Sequence, residues 1–152
     1  MSSPDYLEPF IGWKGLHANQ AGQLFSPQER EYSDWPAGAP FEAHCARRLD
    51  HAPPVKGCSC GIYALTSFEE LRAAGYNWDV AYHSPERGNC VAVIAEVSLW
   101  GRIRRGQIGC RAEFAYPQKV YVPATKLVLG RVIRDRYGCA LGLIDRFTGK
   151  RR

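Results

Sequence analysis

At 152 residues, with 45% hydrophobic and 23% charged side chains, the chain has apolar matter for one ordinary core and too little length for two domains. That balance excludes wholesale disorder, and no run approaches the roughly 18 consecutive apolar residues of a membrane-spanning helix. A net charge of +5 permits an anionic partner without requiring one.

The first residues, Met-Ser-Ser-Pro-Asp-Tyr-Leu-Glu-Pro, show no basic stretch followed by an apolar run, so a cytoplasmic protein with reduced thiols is expected. In that compartment clustered cysteines serve as metal ligands more often than as disulfides. Three of the six cysteines fall between Cys45 and Cys60.

Residues 1–9 read as a flexible polar tail. Phe10 to Leu16 is expected to form a first strand and Gln23 to Phe25 a second short one. From Ser26 to Pro40 turn residues dominate, and Trp35 is expected to plug that loop onto the core. Phe41 to Arg47 is a short strand or helical turn leading into Cys45. Gly61 to Leu65 reads as a buried strand.

Ser67-Phe-Glu-Glu70 has capping-box spacing, which predicts a helix over 67–75 closed by Gly75. Tyr76 to Asn89 is expected to be a loop. Cys90 to Trp100 is nearly continuously apolar and predicts a central strand covered on both faces. A regular pleat puts Val91, Val93, Ala95, Val97 and Leu99 on one side and Ile94, Glu96, Ser98 and Trp100 on the other. Cys110 to Tyr116 is its expected antiparallel partner, ended by Pro117, with a short strand at Lys119–Val122.

Leu129, Val132, Ile133 and Tyr137 follow helical spacing, and Gly138 suits the cap of that helix. Cys139 to Ile144 can return to the sheet. The end, 147–152, reads as a basic tail. The whole is expected to be a single α+β domain over 10–146, a curved, mainly antiparallel sheet or small β-barrel with two helices, stapled by zinc.

The stretch Cys45-Ala-Arg-Arg-Leu-Asp-His51-Ala-Pro-Pro-Val-Lys-Gly-Cys58-Ser-Cys60-Gly carries the strongest chemical signal. Zinc takes thiolates and neutral imidazoles in a closed tetrahedron at structural sites. Cys58 and Cys60 form a tight pair, and Gly57 and Gly61 free the backbone to turn both sulfurs inward. Cys45 is the natural third ligand. His51 is better placed as the fourth than His44, which adjoins Cys45, or the distant His83. Four protein ligands leave no open position, so the expected zinc is structural, clipping two parts of the fold together. Cys90, Cys110 and Cys139 lie in apolar runs and read as inert core thiols.

The order Cys45, His51-Ala-Pro53, Cys58-x-Cys60-Gly-Ile-Tyr-Ala64, then Leu99-Trp-Gly101, Gly109-x-Arg111-Ala-Glu113, Ala115-Tyr-Pro117 and Arg136-Tyr-Gly138 resembles a group of small uncharacterised proteins of actinobacteria and their phages. The resemblance spans most of the chain from Trp35 to Gly138 and favours His51 as the fourth ligand. It implies no activity. Gly106-Gln-Ile-Gly109 departs from that pattern by lacking an acidic or His-bearing hairpin turn, and the basic run before it is denser.

Arg102, Arg104 and Arg105, with Arg111 nearby, form the strongest electropositive feature, suited to phosphate contacts or to a charged hairpin that deters edge pairing. Arg111 lies in an apolar strand and is expected to be half-buried against Glu96 or Glu113. Trp13, Trp78 and Trp100 are candidates for a stacking platform. No Gly-rich phosphate loop, Gly-x-Ser-x-Gly elbow or His-Glu-x-x-His stretch is present.

Gly61-Ile-Tyr-Ala is similar to the Gly-x-Tyr segment of ADP-ribosyltransferases, with Trp13-Lys-Gly-Leu-His17 as a first cofactor strand and Glu96 or Glu113 as the acid. The leading expectation is a non-enzymatic accessory module, phage-encoded by the same resemblance, binding nucleic acid or a host protein through the basic hairpin. It has no membrane partner and no assigned small-molecule substrate; a nucleotide-using transferase is the alternative.

Overall fold

The computed structural model describes residues 10–27, 33–45 and 50–152. In chain order it contains β1 (Phe10–Asn19), β2 (Leu24–Phe25), β3 (Asp34–Trp35), β4 (Phe41–Glu42), β5 (Ile62–Leu65), α1 (Phe68–Ala73), β6 (Ala81–Ser84), β7 (Gly88–Arg105), β8 (Gly109–Val122), α2 (Leu127–Tyr137) and β9 (Ala140–Leu143). The expected tail over 1–9 lies outside the described residues.

The long hairpin of β7 and β8 is the spine. β7 pairs antiparallel with β1 from Phe10–Leu99 to Asn19–Cys90 on one edge, and with β8 from Ile94–Tyr121 to Arg105–Cys110 on the other. Its apolar run is covered on both faces, as a central strand requires. Val91, Val93, Ala95, Val97 and Leu99 join the main core, with Leu16, Trp35, Val120 and Ile133. Ile94 lies in a second core on the opposite face, with Phe68, Leu71, Tyr121 and Ile144.

The sheet curls until β1 meets β5 at the Trp13–Leu65 pair. With β5 on β8, β8 on β7 and β7 on β1, four strands close a ring. That closing seam is one residue pair wide, so the architecture is a curved antiparallel sheet with two helices and not the small barrel offered as its alternative. Gly12 makes the approach feasible: a Cβ there would stand 2.6 Å from the Ala64 Cβ. Lys14 Nζ donates to the Tyr63 carbonyl at 2.7 Å across the same seam.

Local signals account for the helices. Ser67 accepts from the Glu70 N–H and caps α1, and Gly75 closes it as expected, in the left-handed conformation at φ 87° with its N–H donating to the Arg72 carbonyl at 3.0 Å. Gly138 closes α2 in the left-handed conformation. The buried residues of α2 are Leu129, Gly130, Ile133 and Tyr137; Val132, expected among them, faces outward and packs near Gly22. β9 follows α2 and lies parallel to β8.

Three further expectations are corrected. Pro117 does not end the strand: β8 continues through it to Val122, because Pro117 sits beside a register irregularity between Glu96 and Val97, where a missing N–H is tolerated. The segment 76–89 is not all loop, since β6 pairs with the start of β7. The C-terminal end folds back: Ile144 pairs with Arg151, and Leu143 and Arg152 exchange backbone hydrogen bonds at 2.9 and 2.8 Å.

Candidate metal centre

β4 and β5 lie end to end on one edge of β8. Phe41 and Glu42 face Ala115 and Phe114, the Ala43 N–H donates to the Glu113 carbonyl at 2.9 Å, and pairing resumes with Ile62 opposite Ala112. The chain therefore leaves the sheet after Ala43 and rejoins the same strand edge at the next rung, at Ile62. Cys45 stands at the exit, Cys58 and Cys60 at the return, and His51 between them in the chain. This corrects the picture of a staple joining two parts of the fold: the four side chains clip the neck of a loop on a single strand line.

The ligand atoms of Cys45, His51, Cys58 and Cys60 all lie within 4.8 Å of one another. Cys45 Sγ is 3.6 Å from Cys58 Sγ, and Cys60 Sγ is 3.4 Å from His51 Nε2. A tetrahedron with metal–sulfur bonds of about 2.3 Å has edges of about 3.8 Å, and metal–nitrogen bonds shorten the mixed edges. These two separations lie close to that figure. Cys45 is buried. Asp50 Oδ1 lies 3.9 Å from His51 Nδ1, on the side of the ring away from Cys60. A carboxylate there favours the tautomer that leaves Nε2 free to ligate. This donor set can hold a metal ion.

Local backbone geometry brings the sulfurs together. The Cys58 N–H donates to the Val55 carbonyl at 3.1 Å. Gly61 has φ of 124°, and a Cβ there would crowd the Arg111 and Pro54 side chains at 3.0 and 3.3 Å. The backbone N–H of Cys60, then the Cys45 thiol, hold the Cys58 thiol below its ordinary range. Burial raises that of Cys60.

Arg111 reaches the clip from behind. Its Nη1 donates to the carbonyls of both Cys58 and Cys60. It is thus not held by Glu96 or Glu113, as its apolar strand context suggested. Glu113 instead receives Arg102, through the backbone N–H at 3.0 Å and Nη2 at 3.3 Å. Glu96 accepts from the Tyr121 hydroxyl at 2.6 Å. Three thiolates and a neutral imidazole around a divalent ion would leave one net negative charge, which the Arg111 guanidinium, bonded to the Cys58 and Cys60 carbonyls, would offset.

Of the other arginines singled out, Arg104 is exposed and stands directly opposite Arg111, and Arg105 lies over the Phe10 ring at 5.0 Å. The tryptophans do not meet: Trp13 and Trp78 both contact Phe68 in the second core, whereas Trp100 stacks on Phe114. Cys90 and Cys110 are buried, and burial raises the Cys110 and Cys139 thiols.

Sequence reasoning missed two groups beside the clip. Asp50 was legible as a carboxylate adjoining a ligand histidine. Tyr63, whose hydroxyl donates to the Ser59 carbonyl at 2.5 Å, carried no signal beyond its place in the Gly-Ile-Tyr-Ala segment. No protein-family model, curated protein or solved structure matches this chain. No helix among the described residues is long and apolar enough to cross a membrane.

Proposed function

We propose that the chain is a zinc-clipped, non-enzymatic module that binds nucleic acid through the outer end of the β7–β8 hairpin. Zinc is the ion that best suits three thiolates and one imidazole in a closed four-ligand set. The residues forming the clip also carry the resemblance to the small actinobacterial and actinophage proteins, which supports extending the same reading to that group.

The observation that carries the binding role is the pairing of Arg104 with Arg111. Like charges directly opposite on neighbouring strands are unfavourable without a counter-charge. Arg111 is taken up by the Cys58 and Cys60 carbonyls, which leaves Arg104 and Arg105 exposed at the hairpin end as the positions an anionic polymer would neutralise.

Fluorescence anisotropy with a labelled oligonucleotide across a salt series tests this. Binding should weaken steeply with salt, and the double variant Arg104→Glu, Arg105→Glu should abolish it. Absence of any salt-sensitive binding by the zinc-loaded protein would overturn the nucleic-acid reading and leave a protein partner.

A further inference from the structure

We infer that Tyr63 is the base-stacking residue of this surface, held in position by the metal clip, and that the ligand is an unpaired base of a single-stranded nucleic acid. This rests on the nucleic-acid reading above and narrows it.

Tyr63 is half exposed, at 50%, while its strand neighbours Ile62 and Ala64 are buried in the main core. The ring is therefore presented outward from a fixed backbone. Its hydroxyl is tied to the Ser59 carbonyl, between the two return ligands Cys58 and Cys60. An outward aromatic ring tethered at its far end loses little freedom when a base settles on it, which is the condition for a stacking platform.

The surrounding charge is of the right kind. Arg104, Arg111 and Tyr63 stand abreast on three adjacent strands, β7, β8 and β5. The Arg111 guanidinium lies over the Tyr63 ring at 6.0 Å. Arg104, two strand spacings or about 10 Å from Tyr63, is within reach of the backbone phosphates flanking a stacked base. Duplex nucleic acid keeps its base faces inside the stack, so this arrangement discriminates against it. Trp13 and Trp78 are occupied in the second core, and Trp100 lies against Phe114, so the tryptophans do not compete for the role.

The test uses the zinc-loaded protein with a dT oligonucleotide and a duplex of equal length. Tyr63→Ala should weaken dT binding by about 5- to 150-fold, the range of one lost stacking contact, with the salt slope unchanged and zinc content retained. Tyr63→Phe, which keeps the ring and loses the tether, should fall between wild type and Tyr63→Ala. Equal affinity of the wild type for dT and duplex, or unchanged dT binding by Tyr63→Ala, would overturn the inference while leaving the nucleic-acid reading in place. Binding to neither probe would overturn both.

Discussion

Arg111 Nη1 donates to the Cys60 carbonyl at 2.7 Å, so a cation on the spine of the sheet is attached to the backbone of a ligand pair in a surface loop. Removing it should loosen the clip without touching a ligand. Arg111→Ala is expected to lower zinc affinity about 10- to 100-fold, the usual effect of losing a group that supports metal ligands. Arg111→Lys should recover part of that loss, since it restores charge without the planar fork. Competition with a chromogenic chelator measures both, and unchanged affinity in Arg111→Ala would remove this role.

Tyr137 ties the loop bearing Trp35 to the helix. Its hydroxyl donates to the Trp35 carbonyl at 2.6 Å and accepts from the Leu24 N–H at 2.8 Å, both in buried surroundings. Tyr137→Phe removes both bonds, leaving the Trp35 carbonyl with the Gln23 side-chain amide at 3.0 Å, and should cost about 1–3 kcal/mol in chemical denaturation. Trp35→Ala, which empties a fully buried site stacked on Phe41 at 4.5 Å, should cost about 3–5 kcal/mol.

Lys14 gives a pH signature. Burial pushes its ammonium down to about 8, against about 10.4 in an unfolded chain. The unfolded state then holds more protons between these values, so stability rises with pH across that window and is flat in this respect below it. Lys14→Met should remove this contribution between about pH 8 and 9.5, so the variant's slope there is lower than that of the wild type, while the Cys110 and Cys139 thiols, raised by burial, act in the opposite sense equally in both proteins. Equal slopes in wild type and variant would show that the amine is not desolvated in the folded state.

Much of this was legible from residue order. The Cys45, His51, Cys58 and Cys60 set could be named because thiols and an imidazole clustered among turn-forming residues match the donor set of a metal site. The apolar alternation of β7 gave both of its faces, and Ser67 and Gly138 marked helix ends through local hydrogen bonding. What stayed hidden was long-range. That β4 and β5 share one edge of β8 depends on pairing partners distant in the chain. Pro117 looked like a strand end because a bulge is set by the partner strand. β6 was missed because Ala81–Ser84 is short and carries no apolar run. The partner of Arg111 was misjudged because carbonyls freed by a loop leave no mark in the sequence.

Losing the ion should also show in stability. A neck closed around a loop of about 15 residues constrains the unfolded chain by about 3 kcal/mol in the chain-entropy description. Chelation should lower the unfolding midpoint accordingly, and added zinc should restore it.

Elemental analysis of protein purified without chelator, wild type beside Cys58→Ser, reaches the centre of the matter. One zinc ion per chain in the wild type and a strong loss in Cys58→Ser are expected. A wild type that carries no metal and takes up none from added zinc would contradict the assignment of these four side chains to a metal centre.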